Sequence, residues 1–412
     1  MLETSRPMRI LIIPSWYPSE ASPLNGIFVR EQAKCLARRF AVTVLTPRSP
    51  SFLHQLCFRW GPAFTQANDE GIDTLFVRRL RLPSLHRIFA SRKDPDYIVP
   101  YYRRFCRAIR DGFAWYVKQH GLPDVIHAHV VLPAGWIAVE LGREYGVPVV
   151  LTEHSEPFSM HLGSETQRQL VHATLSGADR VVAVSSALRD VMLKYCPNLK
   201  IDVIGNIIDT TFMSLVKATG IASRRFRFLF VGMLTERKGV QHLLAAAQML
   251  KAKGLSAFEI YVGGDGPYRS TLQKMAQELG LANQCNFLGM LTREAVRDHM
   301  QACDVFVLPS LGETFGVVLG EAMACGKPVL STRCGGPDSV VSPETGILVA
   351  PGDPREFADA MAGFMTDRYS FDAETIRQSV LTRFGADAFL EQTEKLYRGL
   401  STRRAPTHAR TA

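Results

Sequence analysis

The chain has 412 residues, enough for two domains of ordinary size rather than one. Hydrophobic residues make up 46% and charged residues 21%, which excludes a disordered or fibrous chain. The net charge of +9 favours anionic partners, whether nucleotides, phospholipid surfaces or nucleic acid, and does not choose between them; nucleic-acid binding rests on that charge alone and is not expected.

Short apolar runs alternate with amphipathic stretches along the whole length. RILIIP (Arg9–Pro14) reads as a buried strand and GIFVREQAKCLARRF (Gly26–Phe40) as the helix after it. Further strands are AVTVLTP, DVIHAH (Asp124–His129), VPVVLTEH (Val147–His154) and DRVVAVS (Asp179–Ser185). Continuous β-branched runs between helices predict parallel strands covered on both faces.

The pattern restarts at FRFLFVG (Phe226–Gly232) and continues through FEIYVGGDGP, CNFLGM, DVFVLPS and KPVLST. The irregular stretch Gly205–Arg225 is the expected linker. The predicted organisation is a first domain over 1–205, a second over 206–385, and a C-terminal helix with a disordered basic tail over 386–412. Within that last segment, Phe389, Thr393, Leu396, Tyr397 and Leu400 share one helical face. The fold class is α/β, with two Rossmann-like doubly wound domains.

The eight cysteines include no C-x-x-C pair, which argues against a structural zinc site or a disulfide framework. No apolar run approaches the roughly 20 residues of a membrane span, and no signal peptide is read at the start. The expected place is the cytoplasm, with at most peripheral contact at the inner face of the plasma membrane.

Ligands of open α/β sheets sit beyond the carboxyl ends of the strands. Those ends offer Pro14–Tyr17, His127–His129, Glu153–His154, Gly232–Lys238, Gly263–Pro267, Met290 and Ser310–Gly316. In GETFGVVLGEAMACG the stretch from Gly316 to Cys325 reads as a helix stopped by Gly326. Glu313 precedes that helix and Glu321 lies within it, about 12 Å apart if helical. That is too far for the paired carboxylates of glycoside hydrolysis or for one metal ion. It suits two contacts to one extended molecule, with helix-start amides facing a phosphate between them. A nucleotide-sugar has that layout. The blander alternative is a solvated helix face. For His127 and His154 a structural role is the expectation.

GETFGVVLGEAMACGKPV resembles the E-x7-E segment of retaining glycosyltransferases of family four, which have the GT-B fold of two domains facing a cleft. SWYPSEASPLNGIFVREQAKCLARR, DVIHAHVVLPAGWIA, NIIDTTFM, FVGMLTERKGV and VGGDGP resemble other segments of that family, in order, the first of them in a bacterial polysaccharide-building branch. The resemblance implies catalytic roles for His129, Glu313 and Lys238: acceptor-side histidine, donor-sugar hydroxyl ligand and diphosphate cation. It implies that Glu321 holds the ribose, that Phe315, Gly316 and Val317 offer backbone amides, that Gly26 admits a phosphate and that Met290 lies against the base. The implied donor is UDP- or GDP-linked, the acceptor a glycan or lipid-linked saccharide, and no cofactor or metal is expected. Met233 stands where the family often has an arginine, and Gly205 and Ile207 where proline and glycine are usual.

A nucleotide-sugar-binding protein without transferase activity is the alternative. A dinucleotide oxidoreductase is disfavoured, because no G-x-G-x-x-G follows the first strand. The D-x-D at Asp94–Asp96 follows no strand and reads as a chance match. Arginines crowd Arg78–Arg110, with Arg103, Arg104, Arg107 and Arg110 among aromatics in PYYRRFCRAIRDGFAWYVKQ. This is either a solvated helix face or a surface for an anionic membrane.

Overall fold

The structure, a computed structural model, describes residues 6–19, 22, 25–48, 64–69, 71–78, 96, 98–216 and 225–400. The chain falls into two compact units. The first runs to Val184 and adds Arg189–Ile204 and the chain from Leu390 onward; the second is Ser185–Leu188 with Gly205–Phe389.

The first unit is built on an eight-stranded sheet. In chain order its strands are β1 (Arg9–Pro14), β2 (Ala41–Arg48), β3 (Phe64–Asp69), β4 (Ile72–Arg78), β5 (Val125–His129), β6 (Val149–Glu153), β7 (Arg180–Ala183) and β8 (Ile201–Val203). They lie in the order β3-β4-β2-β1-β5-β6-β7-β8. All neighbours are parallel except the β3–β4 pair at the edge. Ile10 to Ile13 are fully buried, as helices on both faces of a parallel sheet require.

Helix α1 (Ile27–Ala37) follows β1, and α2 (Val99–His120) precedes β5. Helix α2 buries Tyr102, Phe105, Cys106, Ile109, Phe113 and Tyr116, a three-four spacing that presents one apolar face to the sheet. Next come α3 (Trp136–Tyr145), α4 (Glu165–Gly177) and α5 (Ser186–Tyr195). Ser164 caps α4 by accepting from the Gln167 N–H, and its hydroxyl donates to Asp96 at 2.5 Å. Thr166 donates to the same carboxylate at 3.0 Å. Asp96 of the D-x-D stretch thus serves a helix start; Asp94 lies outside the described residues.

The second unit is a six-stranded, all-parallel sheet of β9 (Phe226–Val231), β10 (Phe258–Gly263), β11 (Cys285–Gly289), β12 (Val305–Leu308), β13 (Val329–Thr332) and β14 (Gly346–Val349). Its order, β11-β10-β9-β12-β13-β14, reverses between β9 and β12. The helices are α6 (Val240–Ala252), α7 (Arg269–Glu278), α8 (Arg293–Ala302), α9 (Val317–Ala324), α10 (Gly336–Val340), α11 (Pro354–Met365) and α12 (Ala373–Phe384). Two arginines of α12 clamp the ends of α9 and α10, and Arg377 also holds the loop at Thr210 and Met213. Arg377 donates to the carbonyls of Ala324 and of Thr210 and Met213, and Arg383 to those of Ser339 and Val340. A guanidinium fork satisfies carbonyls that a helix C-terminus leaves unpaired.

The unit boundaries depart from the expected ones at three places, the first being Ser185–Leu188, which belongs with the second unit. Gly205 belongs with the second unit, where an added Cβ would meet Phe315 at 2.8 Å and Phe384 at 2.9 Å. Tight aromatic packing therefore accounts for glycine at this hinge position. The last helix, α13 (Ala386–Arg398), carries the chain back to the first unit from Leu390. There Leu390, Thr393, Leu396 and Tyr397 are buried, and Glu394 pairs with Arg39 at 2.7 Å. The tail after Leu400 lies outside the described residues.

Candidate active site

In a doubly wound sheet the strand-order reversal leaves a crevice at the strand ends. In the second unit β9 and β12 flank that point, so the loops after them meet. Lys238 follows β9 and Glu313 follows β12. The Lys238 ammonium donates to Glu313 Oε1 at 2.5 Å. Ser310 Oγ donates to the same oxygen at 2.8 Å. The carboxylate side chain is 11% exposed and the lysine 29%, so the pair is shielded but reachable. The main chain fixes the loop separately: Gly336 N–H donates to Glu313 O at 2.7 Å.

Helix α9 begins one residue after Gly316, and no side chain caps its start. Leu319 N–H already donates to Gly316 O at 2.9 Å, while the amides that precede it at such a start lack an intrahelical acceptor and favour an anion. Phe315 is different in kind. Its ring is buried edge-on against Phe384, 5.2 Å between centroids, so the side chain anchors the loop in the core and only its backbone is available to a ligand. Glu321 is half-buried on α9.

The loops after β9 and β10 are laced together. Gly232 N–H donates to Gly263 O at 3.0 Å and Leu234 N–H to Asp265 O at 2.9 Å. The Asp265 carboxyl is held below its ordinary range by the Gly266 N–H and by Arg269. Met233 and Met290 lie just beyond the ends of β9 and β11, with exposures of 64% and 63%. Exposed thioethers at strand ends suit a flat apolar ligand surface.

In the first unit the strand order reverses between β1 and β5. The loop after β1 leads to Gly26, which caps α1 at φ +73°, and a Cβ there would lie 2.3 Å from the Trp16 carbonyl oxygen. His129 ends β5. Its ring is fully buried, with Nδ1 3.0 Å from His154 Nε2. His127 stacks behind it at 4.4 Å and is held by Thr152 Oγ1 at 2.8 Å and the Tyr397 hydroxyl at 2.6 Å.

Burial pushes His127 down to about 3, and pushes His129 well below its ordinary value near 6.5 with help from the two neighbouring histidines. Both are neutral in the fold, while the unfolded chain takes up protons below about pH 6.5. Their contribution is therefore complete above that pH and lost as pH falls toward the folded values. At about 1.4 kcal/mol per pH unit, His127 alone is expected to cost the first unit about 2 kcal/mol between pH 7.5 and 5, and His129 adds to the loss in the same direction. Urea unfolding at the two pH values checks this; a change below about 1 kcal/mol would mean that the buried rings are charged.

The predicted site residues thus divide. Lys238, Glu313, Phe315, Gly316, Val317, Glu321 and Met290 lie in the second unit, where Lys238 and Glu313 touch. Gly26 and His129 lie in the first. Sequence reasoning passed over Ser310 as a partner of Glu313, although its position at the end of β12 was the available signal. Among the described residues no group of three or more His, Cys, Asp or Glu side chains is placed to hold a metal ion.

The chain matches the family model described as Glycosyltransferase Family 4 over residues 26–212, and that described as Glycosyl transferases group 1 over residues 214–379. It is a GT-B glycosyltransferase and belongs to this family. A Bacillus subtilis protein named as a teichuronic acid biosynthesis glycosyltransferase is 27% identical over 380 residues, 87% of this chain and 89% of that protein. The alpha-maltose-1-phosphate synthase of Mycolicibacterium smegmatis is 31% identical over 67% of this chain and 79% of that protein. Among solved structures, Anabaena HepE in complex with UDP superposes with a TM-score of 0.70 over 95% of this chain and 100% of that one, at 20% identity, a likeness of fold.

Proposed function

We propose that this glycosyltransferase moves a hexose-type sugar, with retention at the anomeric carbon, from a UDP- or GDP-linked donor to a glycan or lipid-linked saccharide in polysaccharide assembly. The observation that carries this reading is the Lys238–Glu313–Ser310 cluster beside the uncapped start of α9. A cation and free amides suit a diphosphate leaving group whose charge grows as its bond to the sugar breaks. A shielded carboxylate beside them suits sugar hydroxyls. Lys238 and the amides supply the countercharge, so the reaction runs without a metal. The acceptor attacks from the face the diphosphate leaves, and the leaving oxygen takes the acceptor's proton. Support for the donor class comes from HepE, which has been solved in complex with UDP and with UDP-glucose. Calorimetry with UDP, GDP and ADP in EDTA tests the reading. Micromolar binding of one of them is expected. Binding that appears only with Mg²⁺ or Mn²⁺ would refute the metal-free site.

A lipid-linked acceptor brings the enzyme to a membrane surface. No helix among the described residues is long and apolar enough to cross one. On α2, Tyr101, Arg103, Arg104 and Arg107 are exposed, while Arg110 is occupied by Glu140 at 3.0 Å and by Glu144. The arginine cluster available on this helix is therefore three, not four; Arg79 to Arg92 lie outside the described residues. Changing Arg103, Arg104 and Arg107 together to glutamate is expected to reduce co-sedimentation with phosphatidylglycerol vesicles at least about 10-fold, since each basic residue near an anionic surface contributes about 1 kcal/mol. Unchanged co-sedimentation would remove the membrane from the proposal.

A further inference from the structure

Four rings from three separate parts of the first unit form one column: Phe28 of α1, His154 after β6, and His129 and His127 of β5. Phe28 lies 4.4 Å from His154, His154 lies 5.3 Å from His129, and His129 lies 4.4 Å from His127. His127 has both nitrogens engaged, by Thr152 and Tyr397. His129 has one engaged. Its Nδ1 meets His154 Nε2, and its Nε2 is buried with no hydrogen-bond partner among the described residues.

A neutral imidazole carries one N–H and one lone-pair nitrogen. Whichever ring supplies the proton shared between His129 and His154, the other nitrogen of His129 must be of the opposite kind. If His154 donates, His129 Nε2 is an N–H donor; if His154 accepts, it is a proton acceptor. His154 is itself anchored. Its peptide N–H donates to Glu153 Oε1 at 2.8 Å, and the Glu153 carboxylate also accepts from Val131 and Ser155, each at 2.7 Å. With Phe28 on one face of the column and this buried carboxylate under the main chain, His154 is held where it can orient its neighbour.

We propose that His154 is a positioning residue that sets the ring orientation and tautomer of His129 through the Nε2–Nδ1 contact. This rests on the reading of His129 as a residue of the reacting centre. His129 then meets the ligand through Nε2 in one fixed protonation form, and His154 touches no reacting atom.

Two measurements on the full chain test it. Imidazole ¹⁵N spectra should show one tautomer at His129 in the native protein and a mixture in His154→Phe. Donor hydrolysis, followed as release of UDP or GDP from the best of UDP-glucose, UDP-N-acetylglucosamine and GDP-mannose, supplies the kinetics. Because an imidazole in the wrong tautomer is a poor catalyst, His154→Phe should lower kcat at least about 10-fold with KM nearly unchanged, and His154→Gln, which keeps a donor and an acceptor, should recover part of the loss. Tyr397→Phe, one ring further back, should lower Tm and leave kcat within about twofold. If His129→Phe abolishes turnover and His154→Phe does not lower it, the proposal is overturned and the role of His129 stands. If His129→Phe leaves turnover intact, both fall. Should His154→Phe not fold, His154→Gln is read instead, and a native His129 spectrum that mixes tautomers overturns the proposal without any variant.

Discussion

Glu313→Ala is expected to remove sugar transfer while nucleoside diphosphate binding survives. The carboxylate has two donors, Lys238 and Ser310, and both end on Oε1. The loop's shape does not depend on them, because Gly336 holds the Glu313 carbonyl through the main chain. Alanine therefore deletes the group that would face sugar hydroxyls and leaves the backbone in place. It also frees the Lys238 ammonium for the diphosphate. Removal of one preorganised polar contact to a transition state costs about 10²- to 10³-fold, or about 3–4 kcal/mol. Turnover at saturating donor should fall at least that far, with affinity for UDP or GDP equal to or tighter than before. Stability should change by about 1 kcal/mol or less, because the pair is partly exposed. Glu313→Gln, which retains an acceptor without the charge, should fall between the two. A Glu313→Ala enzyme retaining more than about a tenth of its turnover would place the sugar elsewhere.

Gly264→Ala is expected to unfold the second unit or leave it barely stable. At Gly264 φ is +120°, and an added Cβ would lie 1.9 Å from the Gly232 carbonyl oxygen. The obstacle is backbone, and it belongs to the loop that leads to Lys238. Positive φ costs an alanine about 1–2 kcal/mol, and displacing packed backbone costs about 1–3 kcal/mol more. A loss of about 4 kcal/mol, with loss of nucleotide binding, is the expected result. Gly254→Ala is the control: φ is +82°, but nothing lies within 4 Å of the added atom. It should cost only about 1 kcal/mol. Urea unfolding of both variants beside the native protein separates the two contributions, and equal effects would show that the close approach at Gly264 is unimportant.

Much of the fold was legible because parallel strands advertise themselves as continuous apolar runs. Ile10–Ile13, Val305–Leu308 and Val329–Leu330 are such runs, and the structure makes each a strand. The edge pair β3–β4 was missed, since FTQAND carries little apolar signal and an edge strand needs little. The short strands β8 and β14 were missed as well: β8 is three residues with Asp202 at its centre, and β14 opens on Gly346 directly after a turn, so neither stands out as a strand. In the site, Glu313, Lys238 and Gly316 could be named because charge and glycine stand out at strand ends. Their contact could not be inferred from residues 75 apart in the chain, because it depends on β9 and β12 being neighbours. The same holds for His129 and His154, which meet because β5 and β6 pair in parallel.

The return of the last helix to the first unit bears on how the molecule is made. His127 and its partner Tyr397 are 270 positions apart. As the ribosome releases the chain, all eight strands of the first sheet emerge long before the residue that completes their core. Until α13 arrives, His127 lacks one hydrogen bond and the places of Leu390, Leu396 and Tyr397 stand open. The first unit must wait, partly formed, while the entire second unit is synthesised. A fragment ending near residue 205 would wait indefinitely, whereas appending the stretch from Leu390 to Leu400 through a flexible linker should let it close.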